Sequence, residues 1–247
     1  MLAGGTFLGI LMNQGFIRPE ALLSLGGVAG IDRIEVVDGE LRLGAMATHR
    51  AVERAPETAP WPVLRRAFSL VASPRVRNQA TVGGVLADAD YASDPPAMFA
   101  ALGARALLRS PGAEREVAMD ELILGHYETC IAPDELLVEV RVPAAPERAV
   151  YRKFRARSAE DRPCVAVAAA RGGGTLRVVV GAVAGTPQAF PDVCALARSG
   201  PLERELATEI ARRYAERIEP IADARGSAAY RRRVVAVEVR RALEDLA

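Results

Sequence analysis

The sequence predicts an α+β fold in two domains, the second an antiparallel sheet backed by helices. Three observations predict it. Short strands and helices are mixed through the first half of the 247 residues. A short proline-containing break, Ala144-Ala145-Pro146, separates two patterned regions and places the domains at 1–145 and 146–247. Beyond it, three strand candidates precede two closing helices.

The chain opens as the end of a strand, a glycine turn and a helix. Leu2-Ala3 enters Gly4-Gly5-Thr6, and Phe7, Leu8, Ile10 and Leu11 follow at helical spacing. Thr6 is placed to cap that helix. Ile34–Val37 and Leu41–Leu43 flank Asp38-Gly39, a two-residue hairpin signal. Thr48–Glu53 and Pro62–Val71 read as short helices, the second ended by Ser73-Pro74. Asn78–Asp94 is rich in glycine and aspartate and has no clean periodicity. Pro95-Pro96 then opens a helix with Asp94 at its N-cap. Strands follow at Ala104–Leu108, Glu116–Ala118 and Leu136–Val142, where Pro143 ends the alternation. In the second domain, Val150–Phe154, Cys164–Ala170 and Leu176–Val183 read as a three-stranded antiparallel sheet, with Gly172-Gly173-Gly174 as a hairpin turn. Leu202–Glu216 and Ser227–Leu246 read as helices.

Composition excludes several classes of function. Basic and acidic residues nearly cancel, 32 against 31, so charge points to neither nucleic acid nor membrane. The clusters Arg231-Arg232-Arg233 and Arg240-Arg241 have interleaved Glu238 and Glu244 and few aromatic neighbours. They read as a solvated helix face or a subunit contact. Cys130, Cys164 and Cys194 are sparse and unpaired in spacing, which argues for a reduced, cytoplasmic protein without its own iron–sulfur or zinc site. His49 reads as a helix-start residue and His126 as a surface residue. The uncharged first 17 residues have no basic leader and too many glycines and amides for a signal peptide or membrane span.

Two segments share a design suited to phosphate: Ala3-Gly4-Gly5-Thr6 and Thr81-Val82-Gly83-Gly84-Val85. Consecutive N–H groups around glycine form a concave nest for anions, and glycine admits a phosphate without a Cβ in the way. One such loop is more often a plain turn. Two in one chain point to a long ligand carrying a pyrophosphate. Neither fits the dinucleotide fingerprint of nicotinamide folds or the P-loop.

In this order and spacing, further segments join these two. They are Leu43–His49, Pro74–Gly84, Asp90–Asp94, Pro133–Leu137, Tyr151–Phe154 with Arg157 and Asp161, and Gly226–Arg232. Together they resemble, almost end to end, the FAD-binding medium subunit of molybdenum hydroxylases, the family of carbon monoxide and xanthine dehydrogenases. The resemblance implies that Ala3, Gly4, Gly5, Thr6, Phe7 and Leu8, with Thr81, Val82, Gly83, Gly84 and Val85, wrap the FAD pyrophosphate. It implies that Asp94 accepts from ribityl or ribose hydroxyls, that Leu137 and Val71 pack against FAD, and that Lys153 approaches it from the second domain. It also implies an iron–sulfur small subunit and a molybdopterin large subunit as partners, in a dimer of heterotrimers. Electrons would pass from the iron–sulfur clusters through FAD to an external acceptor, with no catalytic acid, base or nucleophile on this chain.

On the residues alone, other readings stay open. Asp94 reads equally as a helix cap, Leu137 as core, Lys153 with Arg157 and Asp161 as a surface ion-pair cluster, and Tyr91 as a cover for the flavin ring or an exposed loop residue. The family has a strand–helix–strand unit of roughly 30 residues ahead of the first glycine turn, where this sequence begins. Gly83-Gly84, with Arg77-Asn78 before it and Asp94 after, is therefore the better-supported phosphate contact. The functional alternatives are a truncated relative that keeps the fold as a scaffold without FAD, and a free-standing flavin oxidase or reductase.

Overall fold

Leu2 forms a single parallel bridge with Ser24, its N–H donating to the Leu23 carbonyl and its carbonyl accepting from Leu25, so a strand-like pair does lie behind the first glycine turn. The structure, a computed structural model, describes residues 1–197 and 201–247. Helix α1 (Leu8–Asn13) follows the turn. Thr6 does not cap it, because the cap position falls on Phe7 and no side chain bonds there. Strands β1 (Ile34–Val37) and β2 (Glu40–Gly44) pair through the predicted turn, with Asp38 and Gly39 both at positive φ, 51° and 80°. Thr48 caps α2 (His49–Arg54) by accepting from the Ala51 N–H. Helices α3 (Pro62–Ser69) and α4 (Pro74–Arg77) each begin on proline.

The stretch without clear periodicity contains helix α5 (Val82–Asp88), capped by Thr81. Helix α6 (Pro95–Ala101) comes next. Asp94 precedes it but makes no capping bond, since its carboxylate is held elsewhere. Then follow β3 (Arg105–Ser110), β4 (Ala113–Ala118), α7 (Met119–Leu122), the small hairpin β5 (Ile123–Gly125) and β6 (Glu128–Thr129), and β7 (Leu136–Val142). The remainder is β8 (Arg148–Phe154), β9 (Val165–Gly172), β10 (Thr175–Gly181), β11 (Gln188–Ala189), α8 (Pro191–Cys194), α9 (Arg204–Arg217) and α10 (Ala228–Leu246).

Among the described residues, five strands form an antiparallel sheet in the order β1-β2-β7-β3-β4. Four form a second, in the order β11-β10-β9-β8, so the two-residue β11 extends the three long strands predicted. Gly173 and Gly174, at φ 56° and 74°, turn β9 into β10.

The second sheet is buried on both faces. Alternate side chains point to opposite faces of a strand. On β9, Ala166, Ala168 and Ala170 join a core shared with α3, α5, α6 and the first sheet, while Val165, Val167 and Ala169 face α9 and α10. Double burial explains why this strand reads as a continuous apolar run. It also means that the first core takes residues from both sides of the break at Ala145.

The arginine cluster of the last helix is not uniformly solvated. Arg231 is fully buried, donating to the Cys164 and Ala182 carbonyls and pairing with Asp223 at 2.5 Å.

Tyr214 on α9 is buried too; its phenol donates to the Val178 carbonyl at 2.7 Å and accepts from the Phe190 N–H at 3.2 Å. Tyr214→Phe leaves both groups unpaired, so urea unfolding should show a loss of about 1–3 kcal/mol.

Candidate functional site

The two glycine turns, Gly4-Gly5 and Gly83-Gly84, lie far apart in the sequence and meet in space. A Cβ built on Gly4 would lie 1.9 Å from the Gln79 carbonyl oxygen, and one on Gly84 would lie 2.7 Å from Thr81 Oγ1 and 3.9 Å from the Ala3 side chain. Real Cβ atoms do not approach backbone so closely, so glycine at position 4 is what lets the first loop rest on the residues leading into the second. Gly83 is packed in turn against Ala45, whose Cβ would be 2.6 Å from an added Cβ.

The two loops differ in their free donors. Val82 donates to the Ala47 carbonyl, Gly83 to the Ala45 carbonyl, Gly84 to Thr81 Oγ1 and Val85 to the Thr81 carbonyl, at 2.7–3.1 Å. From Ala3 to Leu8, by contrast, six consecutive backbone N–H groups have no hydrogen-bond partner among the described residues. Gly5 is at φ 68°, the left-handed conformation that helps successive N–H groups converge on an anion. The first loop therefore offers donors, and the second supplies a capped helix start that supports it. Arg77, expected as context for the second loop, is buried and holds the Val71 and Ala72 carbonyls at 2.9 and 3.0 Å while pairing with Glu53.

Asp94 and Lys153 meet in a second group. Lys153 Nζ donates to Asp94 Oδ2 at 2.9 Å and to the Leu70 carbonyl at 2.8 Å, and Tyr151 donates to Asp94 Oδ1 at 2.5 Å. The Lys153 and Asp94 side chains are 1% and 5% exposed, so this is not the surface cluster with Arg157 and Asp161. Arg157 instead reaches the Ala224 carbonyl, and Asp161 accepts from the Ser158 N–H. Burial pushes the Asp94 carboxyl up and the Lys153 ammonium down, each opposed by the charge of the other. Leu137 is buried on β7, against which α5 packs, and Val71 is half-buried.

A row of rings, which no local sequence signal announces, links the first loop to the β5–β6 hairpin. Phe7 stacks on Tyr127 with centroids 5.4 Å apart, His126 lies 3.8 Å from Tyr127, and Tyr91 meets His126 edge-on at 4.8 Å. The Tyr127 N–H, at the hairpin tip, donates to the Ala89 carbonyl. The Tyr91 hydroxyl bonds to Asp223, so this ring is tethered to the second domain.

Two ionisable groups with displaced pKa values lie beside the ends of α5, His49 buried and Asp88 half-buried. His49 is 1% exposed, and its Nε2 lies 3.2 Å from the Thr81 carbonyl, which can only accept; Nε2 therefore carries the proton. Burial lowers its pKa to about 4, and the Thr81 bond opposes the shift. Asp88, at the other end of α5, is raised to about 7 by burial and the Asp90 charge, with Arg162 opposing.

Comparison with known proteins gives concordant matches. The family described as the FAD binding domain in molybdopterin dehydrogenase matches residues 1–145, and the CO dehydrogenase flavoprotein C-terminal domain matches residues 149–246. The nicotine 6-hydroxylase medium subunit of Paenarthrobacter nicotinovorans is 31% identical over 99% of this chain and 88% of its own length. The carbon monoxide dehydrogenase medium chain of Afipia carboxidovorans is 32% identical over 98% and 87%. Among solved structures, quinoline 2-oxidoreductase from Pseudomonas putida 86 aligns with a TM-score of 0.92 at 29% identity, covering 98% of this chain and 87% of that one.

Gly4→Ala should raise the Kd for FAD at least tenfold, about 1.4 kcal/mol, in a fluorescence titration. Gly9→Ala, whose Cβ meets nothing within 4 Å, should leave it unchanged. His49 stays neutral in the fold down to about pH 4, against a reference of 6.5. Its contribution is present above pH 6.5 and is lost as pH falls towards 4, on the order of 3 kcal/mol in total. Asp88 acts oppositely, its contribution fading as pH rises from 3.8 to about 7. The difference in unfolding free energy between the native protein and His49→Gln should therefore shrink from pH 7 to pH 4.

Proposed function

We infer that this chain, which belongs to the family of FAD-binding medium subunits of molybdenum hydroxylases, carries electrons from a partner's iron–sulfur clusters through FAD to an external acceptor. The observation that carries the reading is the run of six unpartnered N–H groups, Ala3 to Leu8, on a loop seated by Gly4. That cradle fits a pyrophosphate, which needs convergent donors and backbone free of Cβ atoms. A scaffold without the cofactor leaves the same donors with no role.

Ala3, Gly4, Gly5, Thr6, Phe7 and Leu8 hold the pyrophosphate in this reading. Thr81, Val82, Gly83, Gly84 and Val85 support them from below. The Thr81 oxygen accepts from Gly84, which leaves its hydroxyl hydrogen free to donate. Asp94 and Lys153 serve the ring and ribityl end, with Leu137 beneath α5 as apolar floor. Flavin exchanges one or two electrons, and so can join one-electron clusters to a two-electron acceptor. The protein binds and orients it.

Partners are an iron–sulfur small subunit and a molybdopterin large subunit, assembled as a dimer of heterotrimers. The sparse, unpaired cysteines support a cytoplasmic location. No helix among the described residues is long and apolar enough to cross a membrane.

The purified chain should bind FAD in a one-to-one complex, and reduced iron–sulfur partner subunit should bleach its flavin absorption. A protein that takes up no FAD at micromolar concentration would overturn the assignment.

A further inference from the structure

Lys153 is the one lysine in a chain whose other basic residues, of 32 in all, are arginine. It is also among the most enclosed charges, with a side chain 1% exposed. Arginine is otherwise this protein's cation at the surface and in the core, including the fully buried Arg231. A compact ammonium offers three donors on a single point. Two are taken, by Asp94 Oδ2 and the Leu70 carbonyl, and the third has no partner among the described residues. Tyr151, two residues earlier on β8, is 6% exposed and donates its phenolic hydrogen to the other Asp94 oxygen. The remaining charges facing Lys153 are Arg155 and Asp161.

We propose that Tyr151 is a positioning residue for this lysine. Its phenol fixes Asp94; Asp94 and the Leu70 carbonyl fix the ammonium; and the ammonium keeps one N–H for an acceptor atom on the isoalloxazine ring of bound flavin. The proposal rests on the FAD reading above. Without the phenol, Asp94 can turn both oxygens toward Lys153 and draw its third donor away from the ligand.

The single lysine makes the test selective. Protein grown with lysine labelled at Cε gives one side-chain resonance, which is followed on adding FAD or ADP. FAD should shift it and ADP, which lacks the ring, should not. Tyr151→Phe should move its pH midpoint and weaken FAD binding about tenfold, the loss of one hydrogen bond to a charged group. Asp94→Asn reads the same link independently, and should also move the resonance. FAD binding without a shift, or an equal shift with ADP, overturns the proposal alone. A Tyr151→Phe protein that melts earlier but keeps the resonance, its midpoint and the FAD affinity makes Tyr151 merely structural. Absence of FAD binding by the unaltered protein overturns the functional reading, and this one with it.

Discussion

Close backbone approach at three glycines holds the two glycine loops together. A Cβ on Gly44 would lie 2.3 Å from the Ile31 carbonyl oxygen, one on Gly83 would lie 2.6 Å from the Ala45 Cβ, and one on Gly4 would lie 1.9 Å from the Gln79 carbonyl oxygen. These contacts stack the chain in layers: the end of β2, then the start of α5, then the first loop on top. The donors of the second layer are bonded within the stack, to Ala45, Ala47 and Thr81, so the top layer keeps the free N–H groups. Bulk at any of the three positions would part the layers.

The buried charges have a different role. Removing a lysine and an aspartate from water is costly, and their attraction offsets that cost only with good geometry and further hydrogen bonds. Lys153 and Asp94 have those bonds, from Leu70 and Tyr151. The group joins the loop after α3, the start of α6 and strand β8, on both sides of the break at Ala145. Such a pair is better understood as fixing the position of one half against the other than as a source of stability.

Local features were legible in the sequence. Asp38-Gly39 needs only its own two residues to set a hairpin, and β7 carries its apolar–charged alternation in the five positions Val138–Val142. Helix α5 was hidden, because Gly83 and Gly84 lower helix propensity and are present for packing. Thr6 and Asp94 have the chemistry of helix caps, but neither caps; for Asp94 a tertiary partner 59 residues away takes the carboxylate. The glycine loops were legible as a pair, whereas which loop retains free donors depends on Ala45 and Ala47, and no local pattern records that. The ring row from Phe7 to Tyr91 depends likewise on a distant hairpin.

The two ends of the ligand would then be held by different physics. At the phosphate end the donors are neutral backbone groups, whose direction is set by the fold and whose charge state does not change with pH. At the ring end the donor is an ammonium whose charge depends on a buried carboxylate, itself held by a phenol. The electrostatic environment of the ring could therefore be changed at one end while the backbone donors at the other stay in place. A change in Tyr151 or Asp94 alters the second with the glycine stack left intact, because no residue of that stack touches either side chain among the hydrogen bonds and ion pairs they form.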